Sequence, residues 1–136
     1  LETMPWVYPD SPGSYLRLIE AVDRPAFAVH FDPVNLINCP ERAFQSGRFL
    51  RHCFDLLGPY IRSCHAKDII LREKLTLHLD EARPGEGCLD YAEFLRQAAR
   101  LPAETPIMLE HLPSADEYRA AASYLRSVAQ QEGVVL

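Results

Sequence analysis

The sequence predicts an α/β fold with parallel strands alternating with helices, and three observations lead there. Short runs rich in β-branched and aromatic residues alternate with longer stretches whose apolar residues recur at helical spacing. The connections between them are mostly short, as in strand–helix repeats that build one parallel sheet. Each strand-like run also ends in a side chain of metal-ligand type, which places comparable chemistry at one edge of the sheet.

Leu1-Glu2-Thr3 reads as the tail of a first strand, and with no initiator Met ahead of it the chain is expected to be a fragment, a trimmed chain or an incomplete reading frame. Ser11-Pro12 opens a helix, a capping hydroxyl followed by Pro at the first helical position, with Tyr15, Leu18, Ile19 and Val22 on its apolar side. Asp23-Arg24-Pro25 ends it. Ala26 to Phe31 is the next strand and closes on Asp32-Pro33. A single helix is expected over 40–57, with Phe44, Leu50, Phe54 and Leu57 in the core, stopped by Gly58-Pro59. Ile61 to Ala66 is a strand running into Lys67-Asp68, and a long loop is expected over 69–87. Asp90 caps a helix that uses Tyr91, Phe94, Leu95 and Ala98. Pro106 to Leu109 is the last strand, ending at Glu110-His111. Ser114-Ala115-Asp116-Glu117 matches a capping box, and the helix it opens runs to about Gln131 with Tyr118, Ala121, Leu125 and Val128 inward. The order (β)α-βα-βα-βα is compatible with an open doubly wound sheet and with a closed (β/α)8 barrel. No linker divides residues 1–136, which read as one structural unit.

Composition narrows the function classes. Hydrophobic residues make up 48% of the 136-residue chain and charged ones 24%, enough apolar side chain for one core. The net charge of −5 and the absence of a Lys/Arg run speak against a nucleic-acid partner. No apolar run approaches the roughly 18 residues that span a bilayer, so no membrane partner is expected. Cys39, Cys53, Cys64 and Cys88 form no C-x-x-C pair and read as reduced thiols of a cytoplasmic protein.

Chemistry gathers at the strand ends. Glu2, Asp32, His65 and Glu110 follow four successive strands, so a parallel sheet brings them to one side. Three carboxylates and one imidazole make a hard, mostly oxygen donor set, suited to Mn²⁺ or Mg²⁺, with Co²⁺ or Zn²⁺ also compatible. A lone acidic residue after a strand is commonly a helix cap or a solvated loop charge. Four in register are harder to explain that way.

Several ordered stretches carry a family resemblance: Leu1-Glu2, Val29-His30-Phe31-Asp32-Pro33-Val34-Asn35, Ser63-Cys64-His65-Ala66-Lys67-Asp68, Arg83 to Tyr91 with its G-x-G, and Met108-Leu109-Glu110-His111-Leu112. Together they resemble the second half of the xylose isomerase-like TIM barrel superfamily, in the sugar phosphate isomerase/epimerase group of D-tagatose 3-epimerase, hydroxypyruvate isomerase and the inosose-processing enzymes. The resemblance implies the C-terminal half of a (β/α)8 TIM barrel whose N-terminal half is absent. It also implies that one divalent metal, Mn²⁺ first, is held by Glu2, Asp32, His65 and Glu110. Glu2 and Glu110 would be the catalytic acid/base pair, moving a proton through an enediolate of a keto-sugar, sugar phosphate or cyclitol. Many relatives carry His where this chain has Asn35, which argues against the endonuclease IV branch and its multi-zinc site.

Softer expectations complete the site. Asn35, Lys67, Arg72 and Trp6 are candidates to bind substrate: Asn35 by a hydroxyl hydrogen bond, Trp6 as an apolar wall, Lys67 and Arg72 as cations. His30 shares the face of Asp32, His111 points the other way from Glu110 if the strand persists, and His78 and Glu81 sit in the long loop where they could close over substrate. Asp68 braces that loop, and Gly85 and Gly87 serve its backbone geometry. The expected activity is sugar isomerisation or epimerisation on a small-molecule substrate, and a homo-oligomer is compatible with it. An inosose-type dehydratase is the nearest enzymatic alternative, and a non-catalytic half-barrel the alternative from another class.

Overall fold

The computed structural model describes residues 1–136. Its elements are α1 (Pro12–Val22), β1 (Val29–Phe31), α2 (Pro33–Leu36), α3 (Pro40–Phe44), α4 (Ser46–Leu57), β2 (Ile61–Ala66), β3 (Asp68–Arg72), β4 (His78–Ala82), α5 (Tyr91–Ala98), β5 (Ile107–Leu109) and α6 (Ala115–Glu132). Strands β1, β2 and β5 form a parallel sheet in that order. The first residues continue it on the β1 side: the Leu1 amino group donates to Ala28 O at 2.7 Å and His30 N donates to Leu1 O at 2.9 Å. The backbone thus carries Glu2 to the sheet edge in the manner of a strand.

The two faces of this sheet differ. Val29, Phe31, Cys64 and Ala66 are each at most 1% exposed and pack against the helices. His30, Ser63 and His65 alternate with them and lie on the other face, only half buried. That second face is the interior of a barrel wall. The core between sheet and helices is threaded by edge-on aromatic contacts. Phe31 meets Phe54 at 5.1 Å between centroids, Phe54 meets Phe94 at 6.2 Å, and Tyr91 meets Phe94 at 5.8 Å and Tyr124 at 5.4 Å. Such pairs contribute about 0.5–1.5 kcal/mol each beyond their buried area and tie β1, α4, α5 and α6 together.

Caps set the helix starts where hydroxyls and carboxylates announced them. Ser11 and Ser14 close a reciprocal capping box on α1, Asp90 accepts from Glu93 N at α5, and Ser114 accepts from Glu117 N at α6. Other expectations are corrected. The strand expected from Ala26 begins at Val29. The single helix over 40–57 divides at Gln45, whose backbone (φ −117°, ψ 37°) is not helical. The break turns Ala43 inward and leaves Phe44, expected in the core, 74% exposed. Tyr118 is likewise 37% exposed. The long loop over 69–87 contains an antiparallel hairpin, β3 and β4, registered from Asp68↔Ala82 to Arg72↔His78. No helix is long and apolar enough to cross a membrane.

Candidate metal centre

Glu2, Asp32, His65 and Glu110 meet at the C-terminal edge of the sheet, each offering a donor atom within 4.8 Å of the others. His65 is the hub: its Nδ1 lies 2.9 Å from Glu110 Oε1, 3.2 Å from Glu2 Oε1 and 3.5 Å from Asp32 Oδ2. The parallel register explains the convergence. His65 pairs with Met108 and Ala66 with Leu109, which brings Glu110 level with the end of β2.

Asp32 divides its oxygens between two tasks. Oδ1 caps α2 by accepting from Val34 N at 3.0 Å and Asn35 N at 3.3 Å, while Oδ2 faces the cluster. Asn35, buried behind the site, donates through Nδ2 to Thr3 O at 3.0 Å and Glu2 Oε1 at 3.2 Å. It therefore fixes Glu2, on the first residues of the chain.

Lys67 follows β2 and is 3% exposed. Its Nζ stands 2.8 Å from Asp32 Oδ2, in direct contact with Glu110 Oε1, and 3.8 Å from Glu81 Oε2. Burial by itself would lower the ammonium's pKa, but the Asp32 and Glu110 carboxylates outweigh it and push it up to about 12. Burial raises the Glu110 carboxyl in turn, and the Lys67 ammonium overrides this to hold it below the usual range.

His30 backs the hub from the barrel-facing side. Its ring lies edge-on to His65 with centroids 4.1 Å apart, Nε2 is 2.9 Å from His65 Nε2, and Nδ1 is 2.5 Å from Ser63 Oγ. Burial, then the neighbouring His65, lower the His30 pKa and favour the neutral ring. The β1–β2 register places His30 opposite Ser63, so these contacts follow from strand pairing.

A cavity of about 420 Å³ opens over the cluster, a size in the range of small-molecule sites. Glu2, Asn35, Lys67 and Glu110 line it, as does Trp6, 79% exposed at its rim. The hairpin adds Leu77, Leu79 and Glu81. Arg72 is not brought to this cavity: it points along the hairpin and pairs with Asp80 at 2.9 Å. His78 also lies on the hairpin surface, pairing in register with Arg72. Asp68 braces the hairpin base, accepting at Oδ1 from Ile69 and Leu89 and at Oδ2 from Gly85 and Gly87, at 2.8–3.0 Å. Gly85 needs its freedom, with φ +96° and the Tyr124 ring 2.9 Å from where a Cβ would sit. His111 turns back toward the site, with Nδ1 3.1 Å from Glu81 Oε2 and Nε2 3.5 Å from Glu110 Oε2. A strand continuing through His111 would point it away from Glu110, but the strand stops at Leu109 and His111 takes φ +55°.

The donor set fits a hard divalent cation. Asp32 Oδ2 and Glu110 Oε1 are buried and accept no well-directed hydrogen bond, meeting Lys67 only as a charge. Carboxylate oxygens aimed inward without directed donors, beside an imidazole held from behind, are what a cation with oxygen and nitrogen ligands requires.

The strand order, the barrel-type face and a donor cluster at the C-terminal edge define a segment of a TIM barrel. More specifically, the chain belongs to the xylose isomerase-like TIM barrel family, whose sequence pattern matches residues 1–128. Among solved structures it is similar to a xylose isomerase domain protein from Planctomyces limnophilus, at 23% identity and a TM-score of 0.73, covering 98% of this chain and 45% of that one. It is also similar to a xylose isomerase-like TIM barrel protein from Mycobacterium smegmatis in complex with magnesium, at 20% identity and a TM-score of 0.67, covering 96% and 42% respectively. The chain thus spans less than half the length of either. No curated protein matches it.

Proposed function

We propose that this chain carries the metal centre and acid/base pair of a divalent-metal-dependent sugar isomerase or epimerase, acting on a keto-sugar, sugar phosphate or cyclitol. The observation that carries the reading is the convergence of Glu2, Asp32, His65 and Glu110 within 4.8 Å beneath a cavity. The xylose isomerase-like superfamily includes sugar isomerases and epimerases, and one structural neighbour is in complex with magnesium. Mn²⁺ is the first expectation for this chain, with Mg²⁺, Co²⁺ or Zn²⁺ compatible with the same donors.

In this reading Glu2, Asp32, His65 and Glu110 hold the ion, which when bound supplies Lewis-acid polarisation of the substrate carbonyl and offsets the charge that develops there. Glu2 and Glu110 also exchange protons with the carbons beside the carbonyl. One carboxylate takes the proton and the other returns it, on the opposite face for epimerisation or at the neighbouring carbon for isomerisation. Asn35 steadies Glu2 through the 3.2 Å hydrogen bond, and the Lys67 ammonium pairs with Asp32 and holds the Glu110 carboxyl below its usual range. Trp6 shields the cavity rim. The four strand–helix units form the C-terminal half of a complete barrel. The unpaired cysteines support a reducing compartment such as the cytoplasm.

Incubation with a panel of ketoses and Mn²⁺ tests the activity, with products identified by chromatography. Epimeric or isomeric sugar is expected, and Glu110→Gln should abolish it. Loss of water without an epimer would transfer the reading to an inosose-type dehydratase, which begins with the same proton abstraction.

A further inference from the structure

The cavity over the four donors is polar at the metal centre and apolar beyond it. Glu2, Asn35, Lys67 and Glu110 line the polar part. The β3–β4 hairpin supplies an apolar wall. Pairing sets Ile69 opposite Glu81, and Leu79 follows two residues before Glu81 on the same strand, so all three share the face that lines the cavity. Polarity falls along this face. Glu81 lies 3.8 Å from the Lys67 ammonium, Leu79 is about 7 Å farther along the strand, and Leu77 lines the cavity beyond it. Met4 and Trp6, on the segment after Glu2, add apolar lining and are 39% and 79% exposed. Leu77 is 49% exposed, whereas Ile69 is 3% exposed and joins the wall to the core. The wall is also held in place, because the Asp68 carboxylate accepts from four backbone amides at the hairpin base. A fixed apolar wall gains stability when an apolar group of a ligand covers it. A hydroxyl pressed against Leu77 and Leu79 loses water and gains no hydrogen bond from them. A phosphate fits less well still. No arginine lines the cavity, and its one lysine, Lys67, already pairs with Asp32 and Glu110.

We propose that Leu77 and Leu79 of the hairpin, with Ile69, Met4 and Trp6, form an apolar subsite for the far end of the substrate. It selects a ketose whose last carbon is a methyl group over the hydroxymethyl and phosphorylated forms. The proposal rests on the metal-dependent sugar reading and names its substrate class.

The test is calorimetric binding to the Mn²⁺-loaded chain of two matched pairs and one phosphate ester. The pairs are D-fructose with 6-deoxy-D-fructose and L-fructose with 6-deoxy-L-fructose, and the ester is D-fructose 6-phosphate. Within each pair only the hydroxyl on the last carbon differs. In at least one pair the deoxy ketose should bind about tenfold more tightly, at the low end of what a hydrophobic pocket achieves for one small group. D-fructose 6-phosphate should bind more weakly than 6-deoxy-D-fructose. Leu77→Thr and, separately, Leu79→Thr keep a β-branched residue of similar bulk and should each cut the preference to about threefold or less. Leu75→Thr, at a residue 97% exposed that does not line the cavity, should leave it unchanged. Retained Mn²⁺ affinity in each variant shows an intact fold and centre. The subsite is overturned if neither pair favours the deoxy ketose, if the phosphate ester binds most tightly, if Leu77→Thr or Leu79→Thr keeps the full preference while folded, or if Leu75→Thr removes it. A parent chain that binds Mn²⁺ but no ketose overturns the sugar reading, and one that binds no Mn²⁺ overturns the metal reading, each taking the subsite with it.

Discussion

Asp32 and Lys67 form a buried ion pair, Oδ2 to Nζ at 2.8 Å, with side chains 0% and 3% exposed. The same ammonium touches Glu110, so one cation balances two carboxylates of the cluster. Removing it leaves charge uncompensated in a buried setting. Lys67→Met should lower the stability of the metal-free chain by about 3–5 kcal/mol, measured by urea unfolding. Added Mn²⁺ should raise the melting temperature more in the variant than in the parent chain, because the ion takes over that balance. An equal rise in both would contradict the role given to Lys67.

The two oxygens of Asp32 can be separated by substitution. Asn retains an Oδ1 able to cap α2 through Val34 N and Asn35 N, while Ala retains nothing. Asp32→Asn and Asp32→Ala should both lose Mn²⁺ affinity in calorimetry. Ala should also unfold about 1 kcal/mol more easily than Asn, the usual worth of an N-cap.

Gly87 is a steric test of the hairpin base. A Cβ there would stand 2.3 Å from Asp68 Oδ1 and 2.4 Å from Ile69 O, whereas a Cβ at Gly58 meets nothing within 4 Å. Gly87→Ala should destabilise the chain by about 1–3 kcal/mol in thermal or urea unfolding. Gly58→Ala should be neutral or slightly stabilising.

The break at Gln45 gives a paired prediction for the core. Phe94 is 0% exposed and touches Phe54 and Tyr91, whereas Phe44 is 74% exposed. Phe94→Ala should cost about 3–5 kcal/mol in urea unfolding. Phe44→Ala should stay within about 0.5 kcal/mol of the parent chain.

These residues also mark what the sequence made legible. Ser11, Asp90 and Ser114 announced their helices because capping is local chemistry, readable over three residues. Asp32, His65 and Glu110 were legible because a parallel sheet delivers successive strand ends to one edge. The division at Gln45 was not, since a helical apolar pattern runs through 40–57 and outweighs the one local turn signal, Ser46-Gly47. The β3–β4 hairpin was overlooked although Leu75, Leu77 and Leu79 alternate with polar residues, a period-two signal obscured by the charges around it. Without the hairpin, neither the meeting of Glu81 with His111 nor the pairing of Arg72, a substrate-binding candidate, with Asp80 across the two strands can be foreseen. His30 was placed on the correct face by alternation, but its contact with His65 depends on the β1–β2 register.

Isothermal titration of the chain with Mn²⁺, repeated on His65→Ala, tests the metal centre most directly, because His65 touches each of the other three donors. A single ion per chain is expected for the parent, with binding lost in the variant. A folded parent chain that binds no Mn²⁺, or a variant that binds it as the parent does, would contradict the account.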